Sequence, residues 1–226
     1  METTSRISSV DWDRDIYARG KMLNRWPYTE LVSAVIQETR DRRRSATRVL
    51  EIGCGAGNNL WFLADEGYLC SGIDMSSTVI DFARKRLGAL GLPPELLVGD
   101  AIDLPWADDT FDIVLDRGGL TQNAYPEVSR ILDEARRVLK PGGILHAFTM
   151  FGLDHPDRKY GTEVSRNAYD AFSKGLFCNA GLTSFFSFET IVELFHGFSS
   201  VEPIRKQKFC HGGLLISEEY RVRAER

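Results

Sequence analysis

The four cysteines of this 226-residue chain, Cys54, Cys70, Cys178 and Cys210, are scattered without a Cys-x-x-Cys pair. Neither a zinc knuckle nor a disulfide framework is indicated, no metal site is expected, and the thiols suit a reducing compartment. No run approaches 18 apolar residues, and the opening Met-Glu-Thr-Thr-Ser-Arg lacks the apolar h-region of a secretory leader. The expectation is a cytoplasmic protein without a membrane span. Positive charge is also short: 28 Lys and Arg stand against 32 Asp and Glu, a net charge of −4, so no nucleic-acid partner is expected. The run Arg40-Asp-Arg-Arg-Arg44 sits at a helix end before a strand, where it reads as a solvated terminus that complements the helix dipole. There is no internal repeat and no low-complexity tract. With 43% hydrophobic and 27% charged residues, the chain reads as one ordinary globular domain.

The stretch Arg48-Val-Leu-Glu-Ile-Gly-Cys-Gly-Ala-Gly-Asn58 organises the rest. Val49, Leu50 and Ile52 form a short apolar run, and Gly53, Gly55 and Gly57 follow at once, as in a buried strand ending in a tight turn. Leu60, Trp61, Leu63 and Ala64 then recur at helical spacing. Such a turn lets backbone N–H groups approach a ligand, and the helix N-terminus adds about half a positive charge. A nucleotide-like ligand is the natural occupant. A dinucleotide fingerprint would want Gly or Ala where Asn58 stands, which weakens an NAD-dependent dehydrogenase reading.

The pattern Glu51-x-Gly53-x-Gly55-x-Gly57, with Cys54 and Asn58 in the same loop, resembles motif I of the class I S-adenosylmethionine-dependent methyltransferases. In that family the loop passes under the methionine part of the cofactor. The resemblance continues in order through residues 48–151. Leu69-Cys-Ser-Gly-Ile-Asp74 resembles the second strand, whose acid meets the ribose hydroxyls, and Met75 would lie against the adenine. Gly99-Asp100-Ala101 matches the place where an Asp meets the adenine amino group. Asp103 to Val114 resembles the acidic loop running into the fourth strand, and Leu139-Lys-Pro-Gly-Gly143 the turn before the fifth. The resemblance implies S-adenosyl-L-methionine as cofactor and S-adenosyl-L-homocysteine as product. It also implies an N-terminal arm folded over the cofactor, with Tyr17 and Trp26 the candidates to stand near its carboxylate; plain core aromatics are the competing reading.

Elsewhere the periodicity predicts helices over 31–39, 77–90 (stopped by Gly91), 126–139 and 188–195, and strands over 96–98, 111–115, 144–151, 201–209 and 213–217. Strands alternate with helices, which argues for a doubly wound, mostly parallel sheet with helices on both faces. The resemblance makes it seven-stranded with the last strand antiparallel. The chain divides into an N-terminal helical arm, 1–47, a cofactor core, 48–151, a substrate-side insertion, 152–188, and a closing helix and strand pair, 189–226. Arm and insertion together are expected to form a lid over the acceptor.

A methyl on a sulfonium is already activated, so holding the acceptor in line does most of the chemistry, and a base helps only where a hydroxyl must lose its proton. Of the four histidines, His146 reads as a sheet residue and His196 as a helix cap, which leaves His155 and His211 as candidate bases beside ordinary surface-loop readings. Asp116 and Arg117, at the end of the fourth strand, are candidates to touch the cofactor amine or the acceptor, or else only to shape the turn. The Asn/Asp-Pro-Pro-Tyr of enzymes acting on nucleobase or glutamine amino groups is absent. Tyr160, Tyr169, Phe172, Phe177, Phe185 and Phe186 offer either an acceptor wall or a small core of their own. The expected activity is methyl transfer to oxygen or nitrogen of a small-molecule acceptor by a monomer or homodimer. RNA or protein methylation, or a catalytically silent partner subunit, are the alternatives.

Overall fold

The computed structural model describes residues 8–88 and 93–226. Five parallel strands form its centre: β1 (Arg48–Ile52), β2 (Leu69–Asp74), β3 (Glu95–Val98), β4 (Phe111–Arg117) and β5 (Leu139–Phe151). Their order is β3-β2-β1-β4-β5, and two long strands, β9 (Ser200–Phe209) and β10 (Leu215–Glu225), complete the sheet of seven. β10 runs antiparallel to both β5 and β9. The winding direction reverses between β1 and β4, and a crevice at the carboxyl ends of strands is expected at such a switch point.

Each central strand is apolar on both faces because helices cover both. On one side α1 (Thr29–Glu38), α2 (Asn58–Asp65) and α3 (Ser77–Leu87) bury Leu31, Leu60 and Ile80 against Val49 and Ile113. On the other, α4 (Tyr125–Val138) and α5 (Phe188–Leu194) bury Val128, Ile131 and Ile191 against Leu50, Ile52 and Val114. Adjacent residues of β1 thus feed opposite cores, the period of two that a strand imposes. The Ser76 hydroxyl caps α3 by accepting from Val79 N at 3.1 Å, and Ser187 caps α5 in a reciprocal box with Thr190.

Helix α3 closes at Gly88, three residues before the expected stop; Leu90 and Gly91 lie outside the described residues. Lys140 to Gly143 is absorbed into β5 as a break of register against β4 rather than standing as a free turn. The last strand is far longer than 213–217, because Tyr220, Val222 and Ala224 alternate inward while Arg221 and Arg223 lie on the opposite face. The arginines disguise an ordinary half-buried pattern.

Residues 152–188 carry a small antiparallel sheet of β6 (Thr162–Ser165), β7 (Ala168–Asp170) and β8 (Thr183–Ser184) over a core of Tyr169, Phe172, Phe177 and Phe185. Phe186 belongs instead to the main core, stacked on Tyr125 at 5.5 Å. In the basic run, Arg44 pairs with Glu66 and Arg42 with Asp112 at 3.9 Å, while Arg40 and Arg43 are exposed.

Candidate functional site

A cavity of about 1000 Å³ opens at the carboxyl ends of β1, β2, β4 and β5. That volume suits a ligand larger than a single metabolite fragment. Its floor is the glycine turn between β1 and α2. Gly55 has φ +52°, and its N–H donates to Asp74 Oδ2 at 3.0 Å; a Cβ there would sit 3.4 Å from Tyr17 Oη. Gly57, φ +70°, serves a different purpose, since its missing Cβ would meet Leu87 Cδ1 at 2.7 Å. It does not line the cavity but lets the start of α2 press against α3. Gly53, Cys54 and Asn58 line the floor beside Gly55.

Three carboxyl groups stand at the strand ends in different circumstances. Asp74 ends β2, where Oδ1 accepts from Ser76 N and Oδ2 from Gly55 N, both at 3.0 Å. Burial raises its pKa while those N–H groups pull it down. Each oxygen keeps a lone pair for a ligand hydroxyl. Glu51 lines the cavity and is 2% exposed. Asn59 Nδ2 donates to its Oε1 at 2.6 Å, whereas Oε2 has no partner among the described residues. Burial pushes its pKa up to about 8, with Asp116 and Asp74 adding to the rise. A cationic group on a ligand would satisfy the orphaned oxygen and restore the charge.

Asp116, 1% exposed, does not line the cavity. Its oxygens accept from Leu120 N at 3.0 Å and Gly118 N at 3.3 Å, and burial moves its pKa to about 7. The expectation of a cofactor or acceptor contact there is corrected: Asp116 shapes the turn after β4, because its carboxylate is the acceptor nearest to those turn amides. Its neighbour Arg117 does face the cavity, its guanidinium 3.6 Å from the Tyr28 ring centroid.

The arm crosses the cavity mouth as two short turns, 12–16 and 17–19. Asp13 pins it to the start of α3 by accepting from Thr78 N at 3.0 Å, Thr78 Oγ1 at 3.1 Å and the Ser76 hydroxyl. Trp12 Nε1 donates to Gln122 Oε1 at 3.3 Å. Ser9 N donates to Asp170 Oδ2 at 2.5 Å and Leu182 N to Ser8 Oγ at 3.2 Å, so the arm also meets the insertion. Tyr17 lines the cavity, its phenol kept protonated by burial and by Asp74. Trp26 does not: its ring is 66% exposed under the Arg25 guanidinium, and only its carbonyl reaches inward, accepting from Asn58 Nδ2 at 3.0 Å. The Arg86 guanidinium, on α3, donates to the carbonyls of Asn24 and Arg25 and so holds the arm's backbone inward with the indole out.

Neither candidate histidine reaches the cavity. His155 is buried behind Phe177 and Phe185, its Nδ1 accepting from Asp157 N at 3.2 Å, and burial lowers its pKa. His211 is exposed in the hairpin between β9 and β10. His196 caps α5 at 2.9 Å from the Glu193 carbonyl, and His146 lies within the sheet 3.2 Å from Glu38. Met75, Gly99 and Ala101 line the outer cavity, while Asp100 accepts from Ile102 N at 3.1 Å within its own turn.

The far wall is Thr149, Phe151, Leu176, Phe177 and Ala180, with Gln122 and Asn123 beside it. Sequence reasoning missed Asn59, Asp13 and Gln122. An Asn eight residues after Glu51 on the next helix was the available signal for Asn59; the other two meet partners too distant in sequence to leave one.

Residues 49–143 match the methyltransferase domain family. A fatty-acid O-methyltransferase of Mycolicibacterium smegmatis is 42% identical over 98 residues, which is 42% of this chain and 34% of that protein. A ubiquinone/menaquinone biosynthesis C-methyltransferase of Roseobacter denitrificans is 31% identical over 134 residues, 58% of this chain and 50% of that one. The chain thus matches half or less of these relatives' lengths. Among solved structures, a SAM-dependent methyltransferase from Methanosarcina mazei shares the fold with a TM-score of 0.68 at 24% identity, covering 83% of this chain and 95% of the other. Magnesium protoporphyrin IX methyltransferase from Synechocystis with bound SAM gives 0.59 at 18% identity, covering 87% and 78%.

Proposed function

We propose that this chain, a member of the class I S-adenosylmethionine-dependent methyltransferases, moves a methyl group to an oxygen or nitrogen of a small-molecule acceptor bound between the arm and the insertion. The observation that carries this reading is Glu51, a buried carboxylate with one oxygen unpartnered in the floor of a glycine-loop cavity. An α-amino group suits it, as a pair of hydroxyls suits Asp74. The residues present therefore fit the cofactor: Glu51 for the amine, Asp74 for the ribose, and Met75, Gly99 and Ala101 for the adenine. Gly53, Cys54, Gly55 and Asn58 form the bed beneath.

When bound, the cofactor supplies a methyl group already activated on a sulfonium. The chain's own residues have three tasks. Asp74 and Glu51 fix orientation. The arm, through Tyr17 and Trp12, and the insertion, through Leu176 and Phe177, close over the cavity and exclude water. Phe151, Phe177 and Ala180 offer an apolar wall to the body of an acceptor. No histidine lines the cavity among the described residues, so the reading assigns no histidine base and relies on proximity, which contributes roughly 7–11 kcal/mol. That one relative is named for O-methylation of fatty acids supports oxygen as the receiving atom.

Two measurements test the reading together. Calorimetry should find S-adenosylhomocysteine binding by the chain, and a small-molecule screen with methyl-labelled cofactor should find a labelled product. Binding without turnover on any small molecule, with turnover only when a partner chain that is not itself labelled is added, would replace it with the silent-subunit alternative, and label on the partner would replace it with protein methylation.

A further inference from the structure

Arg117 ends β4, and in the sheet it pairs with Phe148 on β5, one residue before Thr149 and three before Phe151. A cation is thereby placed beside the apolar wall of Phe151, Leu176 and Phe177, within one continuous cavity. Its guanidinium makes no hydrogen bond or ion pair among the described residues and instead lies over the Tyr28 ring, its Cζ 3.6 Å from the centroid. The ring contact restrains the guanidinium without occupying its N–H groups, and a guanidinium whose N–H groups are open can meet a carboxylate with two parallel hydrogen bonds. The nearby acids do not use it up. Asp116 is engaged with turn amides, and Glu219, which lines the same cavity, is held by Lys206 at 3.0 Å. Glu51 and Asp116 both carry pKa values raised to about 8 and about 7, so at neutral pH the cation is incompletely offset.

Building on the methyl-transfer reading, we propose that Arg117 is the acceptor-recognition residue and that the acceptor is a carboxylic acid with an apolar chain, its carboxylate on Arg117 and its chain along Phe151 and Phe177. The reaction then yields a methyl ester. A carboxylate oxygen lone pair forms the new C–O bond to the methyl carbon as the C–S bond breaks, and the departing pair stays on sulfur. The sulfonium becomes a neutral thioether, the carboxylate a neutral ester, and no proton moves. A carboxylate is ionised at working pH, so the cavity needs no base, which agrees with His155 and His211 both standing outside it.

The test is binding to the full chain saturated with S-adenosylhomocysteine, by calorimetry, of straight-chain acids from hexanoate to hexadecanoate and of the matching primary amides. The wild type should bind at least one acid about 10–100-fold more tightly than its amide, the range expected of a charge-assisted pair. In Arg117→Gln that preference should vanish while amide affinity stays within about twofold, and Arg117→Lys, which keeps charge but loses the flat fork, should fall between. Equal affinity for acid and amide in the wild type, failure of every acid in the series to bind, or an undiminished preference in Arg117→Gln would each overturn the assignment. The wild-type comparison stands even if the variants fold poorly. Loss of S-adenosylhomocysteine binding by the wild type would sink the methyl-transfer reading itself; retained binding without acid preference sinks only the role of Arg117.

Discussion

The two sides of the cavity are built by different means. On the side of β1 and β2, a short turn and two strand-end acids do the work, held by one another and by adjoining backbone: Gly55 to Asp74, Asp74 to Ser76, Asn59 to Glu51. On the side of β4 and β5, the wall comes from remote segments fastened by single contacts, Ser9 on Asp170, Leu182 on Ser8 and Trp12 on Gln122. The first kind of site depends on backbone conformation. The second depends on the sum of weak, partly exposed contacts, each replaceable.

The comparison is broken most directly at Asp74. Asp74→Ala removes two charge-assisted bonds of roughly 1.5–3 kcal/mol each, so calorimetry should show S-adenosylhomocysteine affinity lower by about 10²–10⁴-fold in a folded protein. Unchanged affinity would sink the assignment of Asp74 to the ribose. Next comes Gly57→Val. A β-branched residue at φ +70° with its Cβ 2.7 Å from Leu87 should destabilise the fold by about 2–5 kcal/mol, seen as a lower urea midpoint at constant slope. Gly55→Val shares the left-handed backbone strain at φ +52° but lacks the clash, its Cβ approaching only the end of Tyr17, so it should lose less stability than Gly57→Val while lowering affinity. Equal loss of stability in the two variants would erase the distinction drawn between their roles.

Glu51 yields a pH effect of intermediate size. Its pKa is about 8 in the folded chain, against about 4.3 when unfolded. Between these values the folded state binds the extra proton, so stability falls as pH rises through the window and levels off above it. Glu51→Gln should match the wild type near pH 4 and melt higher at pH 8.5, while binding S-adenosylhomocysteine less well. A wild-type melting curve insensitive to Glu51→Gln across that range would show the carboxyl to be solvated after all. The smallest effect is expected at the arm. Asp13→Ala should leave global melting within about 1 kcal/mol of wild type yet speed hydrogen exchange across 12–19. Added S-adenosylhomocysteine should slow exchange from Tyr17 to Trp26 and within Asp154 to Phe186; protection confined to the glycine turn and Asp74 would refute the lid.

The same division explains what the sequence disclosed. The β1 run, the glycine turn, the acid closing β2 and the alternation of strands and helices are encoded by neighbours within ten residues or so, and they were legible. Trp26 was misplaced because its orientation is set by Arg86, sixty residues away, and Asp116 because nothing in Leu-Asp-Arg-Gly-Gly reveals that the carboxylate folds back onto its own turn. His155 looked accessible in a polar insertion whose aromatics close over it only once Phe177 and Phe185 have packed. Strand β10 was truncated because arginines at alternate positions masked the inward Tyr220, Val222 and Ala224.

Cys54 sits in the cavity floor, and the family's cofactor is a biological alkylating agent. A thiolate there would be the strongest nucleophile in the site and the first casualty of its own methyl donor. Burial, reinforced by the negative charges of Asp74 and Glu51, drives its pKa well upward and keeps sulfur in the thiol form. On the methyl-transfer reading, the acids proposed to hold the cofactor would also guard Cys54 against methylation, so weakening that negative field would trade affinity for slow self-inactivation.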